Sequence, residues 1–210
     1  MARPKAFDHD DTVLKAAGLF RRQGYEGTSV RHLLDELGLS ASSFYAEFGG
    51  KDALYMEALA AHAALEREQL RQGLSGPGTF KAKFAGLLAQ LIDELTSVGG
   101  TSSLTLRAAV EEAGTKPEVL AFLSRYLTEL IEMVGDQIAT AAERGELRLR
   151  HQPQPVARFL LFGALSLGFV AKVSTDRATL DSYAAMVLDA MPGHATGLPG
   201  TPHQTQPPDA

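Results

Sequence analysis

The stretch that decides the fold is residues 28–45, TSVRHLLDELGLSASSFY. Hydroxyl residues open two short segments, 28–37 and 40–48, and hydroxyl side chains are favoured helix N-caps. Gly38 lies between the segments, where glycine permits a tight corner. A helix-turn-helix is therefore predicted. Its inward clamp is formed by Leu33, Leu37, Leu39 and Phe44, and its second helix presents Ser40, Ala41, Ser42, Tyr45 and Ala46 outward.

Helical spacing continues on both sides of this motif. One helix is predicted from about Asp8 to Gln23, with Gly24 as its stop, and a long helix from Lys51 to about Gly73. Proline positions bound the later segments, because proline is tolerated at a helix start and not inside. Further helices are predicted at 79–97, 102–113, 117–144, 154–173 and 177–190. Alanine and leucine far outnumber valine and isoleucine, so the prediction is an all-α fold of about nine helices.

Composition excludes several classes of function. The 210 residues include no cysteine, which excludes disulfides, thiolate nucleophiles and cysteine-based zinc fingers. The charged first residues lack the apolar segment of a signal peptide. The most apolar run, 159–171, is shorter than the roughly 20 residues of a spanning helix, so we expect it to be buried in protein. The net charge of −5 does not by itself indicate a nucleic-acid or membrane partner.

Motifs for catalysis and metal binding are also missing from the sequence. There is no Gly-x-Ser-x-Gly or Gly-x-x-x-x-Gly-Lys-Ser/Thr run. His62 and Glu66 are four residues apart, but the paired Glu-x-x-His motifs of a di-metal bundle are absent. The chain is therefore predicted not to be an enzyme and to need no cofactor or metal.

Residues 12–59 resemble the DNA-binding domain of the TetR (tetracycline repressor) family of transcriptional regulators. The resemblance implies a cytoplasmic homodimer that binds a palindromic double-stranded DNA operator, most simply as a repressor released by a small-molecule inducer. It also implies half-sites about 34 to 36 Å apart. The blocks that carry the resemblance are Ala16-Ala17-Gly18-Leu19-Phe20, Gly24-Tyr25, Thr28-Ser29-Val30, Gly38-Leu39-Ser40, Phe44-Tyr45-Ala46-Glu47-Phe48 and Lys51-Asp52-Ala53-Leu54.

Family roles carry over to individual residues. Thr28 resembles a phosphate-contacting N-cap, while Tyr45 and Lys51 resemble contacts to the DNA backbone. A cation in the first helical turn opposes the helix dipole, so Lys51 is expected to gain nothing locally and to need a phosphate. Tyr45 as a half-buried aromatic, and Arg31 on a solvated helix face, remain alternatives. Base-edge donors are few, so specificity is expected to depend on Arg31, Arg3, Lys5 and DNA shape. The recognition positions are Ser40, Ala41, Ser42 and Ala46.

The same resemblance implies a division into an N-terminal DNA-binding domain, residues 1–50, joined through the helix 51–73 to a ligand-binding and dimerisation domain, residues 51–191. Residues 192–210 have the composition of a disordered tail. Candidate ligand-binding residues are Phe84, Leu88, Arg107, Glu111, Phe122, Tyr126 and Phe162. Candidate dimer-interface residues are Phe159, Gly163, Leu167, Val170, Tyr183 and Val187.

Two alternatives stay open from the sequence. The small residues Gly163, Ala164 and Gly168 would allow close approach of a second subunit, or they would serve packing inside the monomer. Sparse donors on the recognition helix and equal numbers of acidic and basic residues in 1–51 also allow a different function. In that alternative the chain is a helical carrier of small molecules with no specific operator.

Overall fold

The computed structural model describes residues 8–97, 103–174 and 176–191, and within these ranges the chain forms nine helices and no strand. The all-α prediction is confirmed. The predicted tail, together with Arg3 and Lys5, lies outside the described residues. The helices are α1 (His9–Gly27), α2 (Val30–Leu37), α3 (Ala41–Phe48), α4 (Lys51–Ser75), α5 (Phe80–Thr96), α6 (Leu104–Glu111), α7 (Pro117–Glu143), α8 (Pro153–Val173) and α9 (Arg177–Asp189).

The turn between α2 and α3 has the predicted local chemistry. Gly38 adopts the left-handed conformation at φ 66° and ψ 31°, which residues with a side chain adopt only at a cost. Ser40 caps α3, its hydroxyl accepting a hydrogen bond from the Ser43 N–H at 3.1 Å. Leu33 and Phe44 are both fully buried at the corner. These features fix the angle between the two helices.

The first of two hydrophobic clusters holds α1 to α4 together. Phe20, Phe44 and Leu54 lie at its centre, each fully buried. Leu104 and Ala108 of α6 are also buried there. The helix-turn-helix unit therefore shares its core with a helix that comes much later in the chain.

The second cluster lies among α5, α7, α8 and α9. Phe84, Ile138 and Leu160 are among its buried members. Leu74, near the end of α4, packs in this second cluster, whereas Leu54, near the start of α4, packs in the first. A single helix of 25 residues thus connects both cores.

Helix α8 differs from the sequence expectation. It has 21 residues, and by length and composition it passes the test for a membrane span, with a mean hydropathy of 1.8 over 18 residues. The prediction that it is too short was wrong, because residues 153–158 extend the helix beyond the apolar run. Only 28% of that window is buried within the chain. One such helix is weak evidence for a span, since helices covered by protein have the same composition.

Candidate DNA-binding surface and ligand cavity

The outward face of α3 carries small side chains and one aromatic ring. Ser40, Ala41, Ser42 and Ala46 are exposed. Tyr45 is 53% exposed, and its ring meets the buried Phe44 ring edge to face at 5.2 Å. A helix with such short side chains can approach a base-pair edge closely, while the phenol extends beyond it.

Thr28 does not occupy the position that the sequence predicts. It lies after the end of α1, is fully buried, and its hydroxyl donates to the Gly24 carbonyl at 2.7 Å. Ser29 caps α2 instead, accepting from the His32 N–H at 3.1 Å. The assignment of Thr28 as the phosphate-contacting N-cap was therefore wrong. Because Thr28 and Ser29 are both hydroxyl residues, the sequence alone could not show which of them caps α2.

Lys51 has a local partner that the sequence did not reveal. Its ammonium group lies over the Tyr25 ring, 3.9 Å from the centroid, and a cation over an aromatic face is stabilised. Lys116 lies over the same ring at 4.0 Å. The Lys116 ammonium and the Tyr25 hydroxyl both donate to Asp52, each at 2.6 Å, and these bonds, Lys116 first, lower the pKa of Asp52. The expectation that Lys51 gains nothing locally was wrong.

His9 joins the start of α1 to α3 and α4. Its Nδ1 lies 2.8 Å from Glu47 of α3 and its Nε2 lies 2.9 Å from Glu57 of α4. Hydrogen bonds to Glu47 and then Glu57 raise the pKa of His9 above its ordinary 6.5. The protonated ring, a donor at both nitrogens, therefore helps to hold the recognition helix. Arg31 is exposed, with its guanidinium 3.9 Å from Asp35.

A cavity of about 570 Å³ lies between α4, α5, α6, α7 and α8, within the size range of small-molecule sites. Four of the predicted ligand residues line it: Phe84, Leu88, Tyr126 and Phe162. Leucine is the commonest residue of its wall, which includes Leu65, Leu70, Leu87, Leu88, Leu91, Leu95, Leu106, Leu123, Leu127, Leu130, Leu161 and Leu165.

Three of the predicted ligand residues lie elsewhere. Phe122 packs against the first cluster, beside the Tyr126 ring. Arg107 and Glu111 pair with each other at 2.9 Å on α6, and the Arg107 guanidinium also donates to the Arg21 and Arg22 carbonyls at 3.3 Å. These assignments to the cavity were wrong, because Arg107 and Glu111 face the end of α1 and Phe122 packs against the first cluster.

The polar groups of the cavity gather around Glu66. Its carboxylate accepts from the Thr105 hydroxyl at 2.8 Å and the Tyr126 hydroxyl at 3.0 Å, and lies 3.2 Å from His62 Nε2. Burial opposes ionisation, but the polar groups around the carboxylate, first His62 and then the Ser103 and Thr105 hydroxyls, lower the pKa of Glu66. Burial, with the Glu66 charge, raises the pKa of Tyr126. Sequence reasoning noticed the His62–Glu66 spacing but did not connect it with a cavity.

Helix α6 contacts both the cavity and the helix-turn-helix unit. Thr105, in its first turn, binds Glu66 in the cavity wall. Arg107 binds carbonyls of α1. Just after the end of α6, the buried Glu112 accepts from the Tyr55 hydroxyl of α4 at 2.6 Å. Any displacement of α6 therefore changes its contacts with α1 and with α4, which pack together in the first hydrophobic cluster.

Comparison with known proteins agrees with this geometry. A family model described as bacterial regulatory proteins of the tetR family matches residues 14–58. The regulator YezE of Bacillus subtilis is 26% identical over 91% of this chain and its own full length. A cysteine mutant of the TetR-family regulator CifR bound to 26-bp operator DNA superposes with a TM-score of 0.80, at 28% identity, over 91% of this chain and 100% of that one.

Residues 14–58 thus match the DNA-binding domain of the tetR family, and nearly the whole chain is similar to TetR-family regulators. The repressor ComR of Escherichia coli is 44% identical over 57 residues, which is 27% of each chain. Similarity to YezE and CifR extends through nearly the whole chain, so it includes the cavity-forming helices as well as the helix-turn-helix.

Among the described residues, α8 and α9 expose several large apolar side chains. Phe159, Phe169 and Val173 of α8 are 54%, 46% and 88% exposed, and Tyr183 and Met186 of α9 are 37% and 68% exposed. We call these five residues the α8/α9 face. Such a row of large apolar side chains is typical of an interaction surface.

Other predicted interface residues are used inside the chain. Leu167 is fully buried, and Val187 packs against Gly163, where an added Cβ would lie 2.9 Å from Val187 Cγ2. At Gly168 a Cβ would lie 2.6 Å from a methyl group of Leu106. Assigning Leu167 and Val187 to the dimer interface was therefore wrong. The close approach that Gly163 and Gly168 permit is to helices of the same chain, and Val170 is half-buried.

Proposed function

We propose that this protein is a dimeric transcriptional repressor whose hold on a palindromic operator is released by a small molecule bound in the cavity. The observation that carries the proposal is the position of α6, which binds Glu66 of the cavity through Thr105 and carbonyls of α1 through Arg107. A ligand that displaces α6 changes the contacts between α6 and α1 that help to position the DNA-binding unit. It releases DNA only if it binds the DNA-incompetent state more tightly.

In the bound state α3 enters the major groove. Ser40, Ala41, Ser42 and Ala46 approach base edges, and Tyr45, Lys51 and the exposed Arg31 contact the DNA backbone. The buried Thr28 side chain is replaced in this assignment by Ser29, at the N-terminus of α2, where free N–H groups attract phosphate. With so few base-edge donors, DNA shape contributes to specificity.

The dimer forms through the α8/α9 face. Five large side chains exposed on adjacent helices provide the apolar centre that a stable interface needs. Two-fold pairing there makes a helical bundle and presents two copies of α3 to successive major grooves, about 34 to 36 Å apart. Residues 1–50 act as the DNA-binding domain and 51–191 as the ligand-binding and dimerisation domain, with α4 connecting them.

Repression follows from the relatives rather than from a residue. ComR is named a repressor, and its similarity falls within the DNA-binding unit. The protein acts in the cytoplasm by binding DNA and ligand, not by catalysis. Among the described residues no group of three His, Asp or Glu side chains is arranged to hold a metal ion.

The test is selection of bound duplexes from a random DNA pool by the purified full chain, followed by sequencing. We expect an inverted repeat with half-sites about one helical turn apart. Enrichment of no motif at low salt would overturn the regulator proposal and favour a small-molecule carrier. Enrichment of a single half-site would overturn the dimeric mode of binding.

A further inference from the structure

The wall of the cavity determines which class of molecule it accepts. Apolar side chains, leucines above all, supply most of it, so the body of a ligand must be apolar to gain from burial. Inside the cavity, Glu66 is the acidic group that accepts hydrogen bonds from two other helices, from Thr105 of α6 and Tyr126 of α7. A second acid, Glu94, and the basic Arg21 also border the cavity. The ligand's polar group therefore has to match the charge at one of these positions.

His62 does not neutralise Glu66. The first N–H of α6, from Leu104, has no acceptor within its helix and donates to His62 Nε2 at 3.2 Å. A ring nitrogen that accepts carries no proton. His62 Nε2, although 3.2 Å from Glu66, therefore cannot donate to the carboxylate at the same time.

The remaining partners of Glu66 are neutral hydroxyl groups. Thr105 and Tyr126 both donate to Oε2. Ser103, whose hydroxyl lies 2.7 Å from that of Thr105, is a further hydroxyl partner of the carboxylate. The nearby Arg67 is directed to Glu129 of α7. Oε1 thus lies against the occupied His62 nitrogen, and the neutral hydroxyls leave a carboxylate charge in a leucine-lined space, where an opposite charge is worth most.

We propose that the cavity binds a monocationic amphiphile, an alkyl or aryl ammonium compound, with its nitrogen against Glu66 and its apolar body among the leucines. The inference deepens the proposed function, on which it rests, by naming the chemical class of the inducer. An anionic amphiphile would place its charge beside Glu66, and a neutral one would leave the Glu66 charge without a counter-ion.

The test compares decylamine, decanol and decanoate for binding to the full chain by isothermal titration calorimetry. The three probes share one alkyl chain and differ in the charge of the head group. We expect decylamine to bind at least about tenfold more tightly than either of the others, the range of one charged hydrogen bond. Tighter binding of decanoate would overturn the proposal and point to Arg21, and equal binding of all three would also overturn it.

Two variants locate the charge. Glu66→Gln keeps the size of the side chain, and we expect it to reduce the preference for decylamine over decanol at least about tenfold. Glu94→Gln removes the other acid of the wall and is expected to leave the preference unchanged. Loss of the preference in Glu94→Gln, or its retention in Glu66→Gln, would overturn the assignment to Glu66. If Glu66→Gln does not fold, the relative affinities of the three probes for the natural chain still decide whether the proposal holds.

Binding to the selected operator distinguishes a failure of this inference from a failure of the proposed function. A chain that selects an inverted repeat but does not prefer decylamine is a regulator with a different inducer, which overturns only the ligand class. In a regulator of the proposed kind, decylamine also lowers affinity for the selected duplex, while decanoate does not. Unchanged duplex affinity at saturating decylamine would overturn its role as inducer.

Discussion

Gly24 breaks the backbone of α1 at a point where a side chain has no room. Its φ of 78° and ψ of 170° lie in a region open essentially to glycine alone. An added Cβ would lie 2.6 Å from the Arg107 guanidinium and 2.7 Å from the Glu111 carboxylate. One residue thus permits both the end of the first helical segment and the contact between α1 and α6.

Replacing Gly24→Ala should lower the free energy of unfolding by about 2 to 4 kcal/mol, from backbone strain plus displacement of Arg107. Chemical denaturation at fixed protein concentration measures it, since dimerisation makes stability depend on concentration. Gly38→Ala is the matched control, because Gly38 also has positive φ but open space around it. Its cost should be about 1 kcal/mol. Equal losses for the two variants would contradict the role of the α1–α6 contact.

His9 makes the stability of the DNA-binding unit depend on pH. Its pKa is raised in the folded chain by hydrogen bonds to Glu47 and Glu57. A raised folded-state pKa means that the stabilisation is complete below the ordinary value of 6.5 and is lost as pH rises through the raised value. We therefore expect stability from this link to fall as the pH rises above 6.5, most clearly at low salt, because the groups are exposed.

Urea denaturation between pH 5.5 and 9 checks this expectation in the natural chain and in His9→Gln. The variant should lose the part of the pH dependence that His9 supplies. His32→Gln removes an exposed histidine from α2 and should keep the natural profile. Identical pH profiles for the natural chain and His9→Gln would show that the His9 link contributes nothing.

At the scale of single elements, Lys51 and Lys116 both lie near the start of α4 but have different roles. Both Lys51 and Lys116 lie over the Tyr25 ring. Lys116 is bound to Asp52 and its side chain is 21% exposed, whereas Lys51 stacks on the ring beside the recognition helix. In the proposed complex, Lys51 contacts phosphate and Lys116 does not.

Lys51→Gln should therefore weaken binding to all duplexes and reduce the slope of log affinity against log salt by about 1, the value for one lost phosphate contact. Lys116→Gln should leave that slope unchanged, even if it lowers stability by releasing Asp52. Fluorescence anisotropy with the selected operator and with an unrelated duplex, over a salt series, gives both slopes. A fall in slope for Lys116→Gln alone would reverse the assignment.

The helical periodicity of the sequence predicted where the helices lie, but it predicted less well which residues contact one another. Ser29 and Thr28 differ by one position, and either hydroxyl can cap a helix, so only the backbone could decide between them. Arg107 and Glu111 face α1 because Gly24 leaves space there, a contact between residues more than 80 positions apart. The cluster around Glu66 combines α4, α6 and α7, and a single sequence holds no signal for such a meeting.

At the scale of the whole molecule, α8 shows the limit of reading a surface from periodicity. It is apolar on several sides, so its sequence could not separate Leu167, which fills the core, from Phe169, which is 46% exposed. The small residues Gly163 and Gly168 suit either a subunit contact or a contact within the chain. Packing of Val187 and Leu106 against them selects the second.

The α8/α9 face is exposed to solvent in the single chain, and the proposed dimer has to cover it. Met186→Asp places a charge at a position that is 68% exposed, so the chain should fold normally. Burying that charge twice in a two-fold interface costs several kcal/mol. We therefore expect the dimer dissociation constant to rise at least about a hundredfold, with loss of tight binding to the inverted repeat.

Analytical ultracentrifugation of the natural chain and the variant measures the change. Val110→Asp is the matched control, because Val110 on α6 is 53% exposed and lies outside the α8/α9 face; it should remain dimeric. A monomeric Met186→Asp that still bound the full inverted repeat with natural affinity would separate dimerisation from DNA binding. If Met186→Asp remained dimeric, the subunits would have to meet through a different surface, and the α8/α9 face would need another partner.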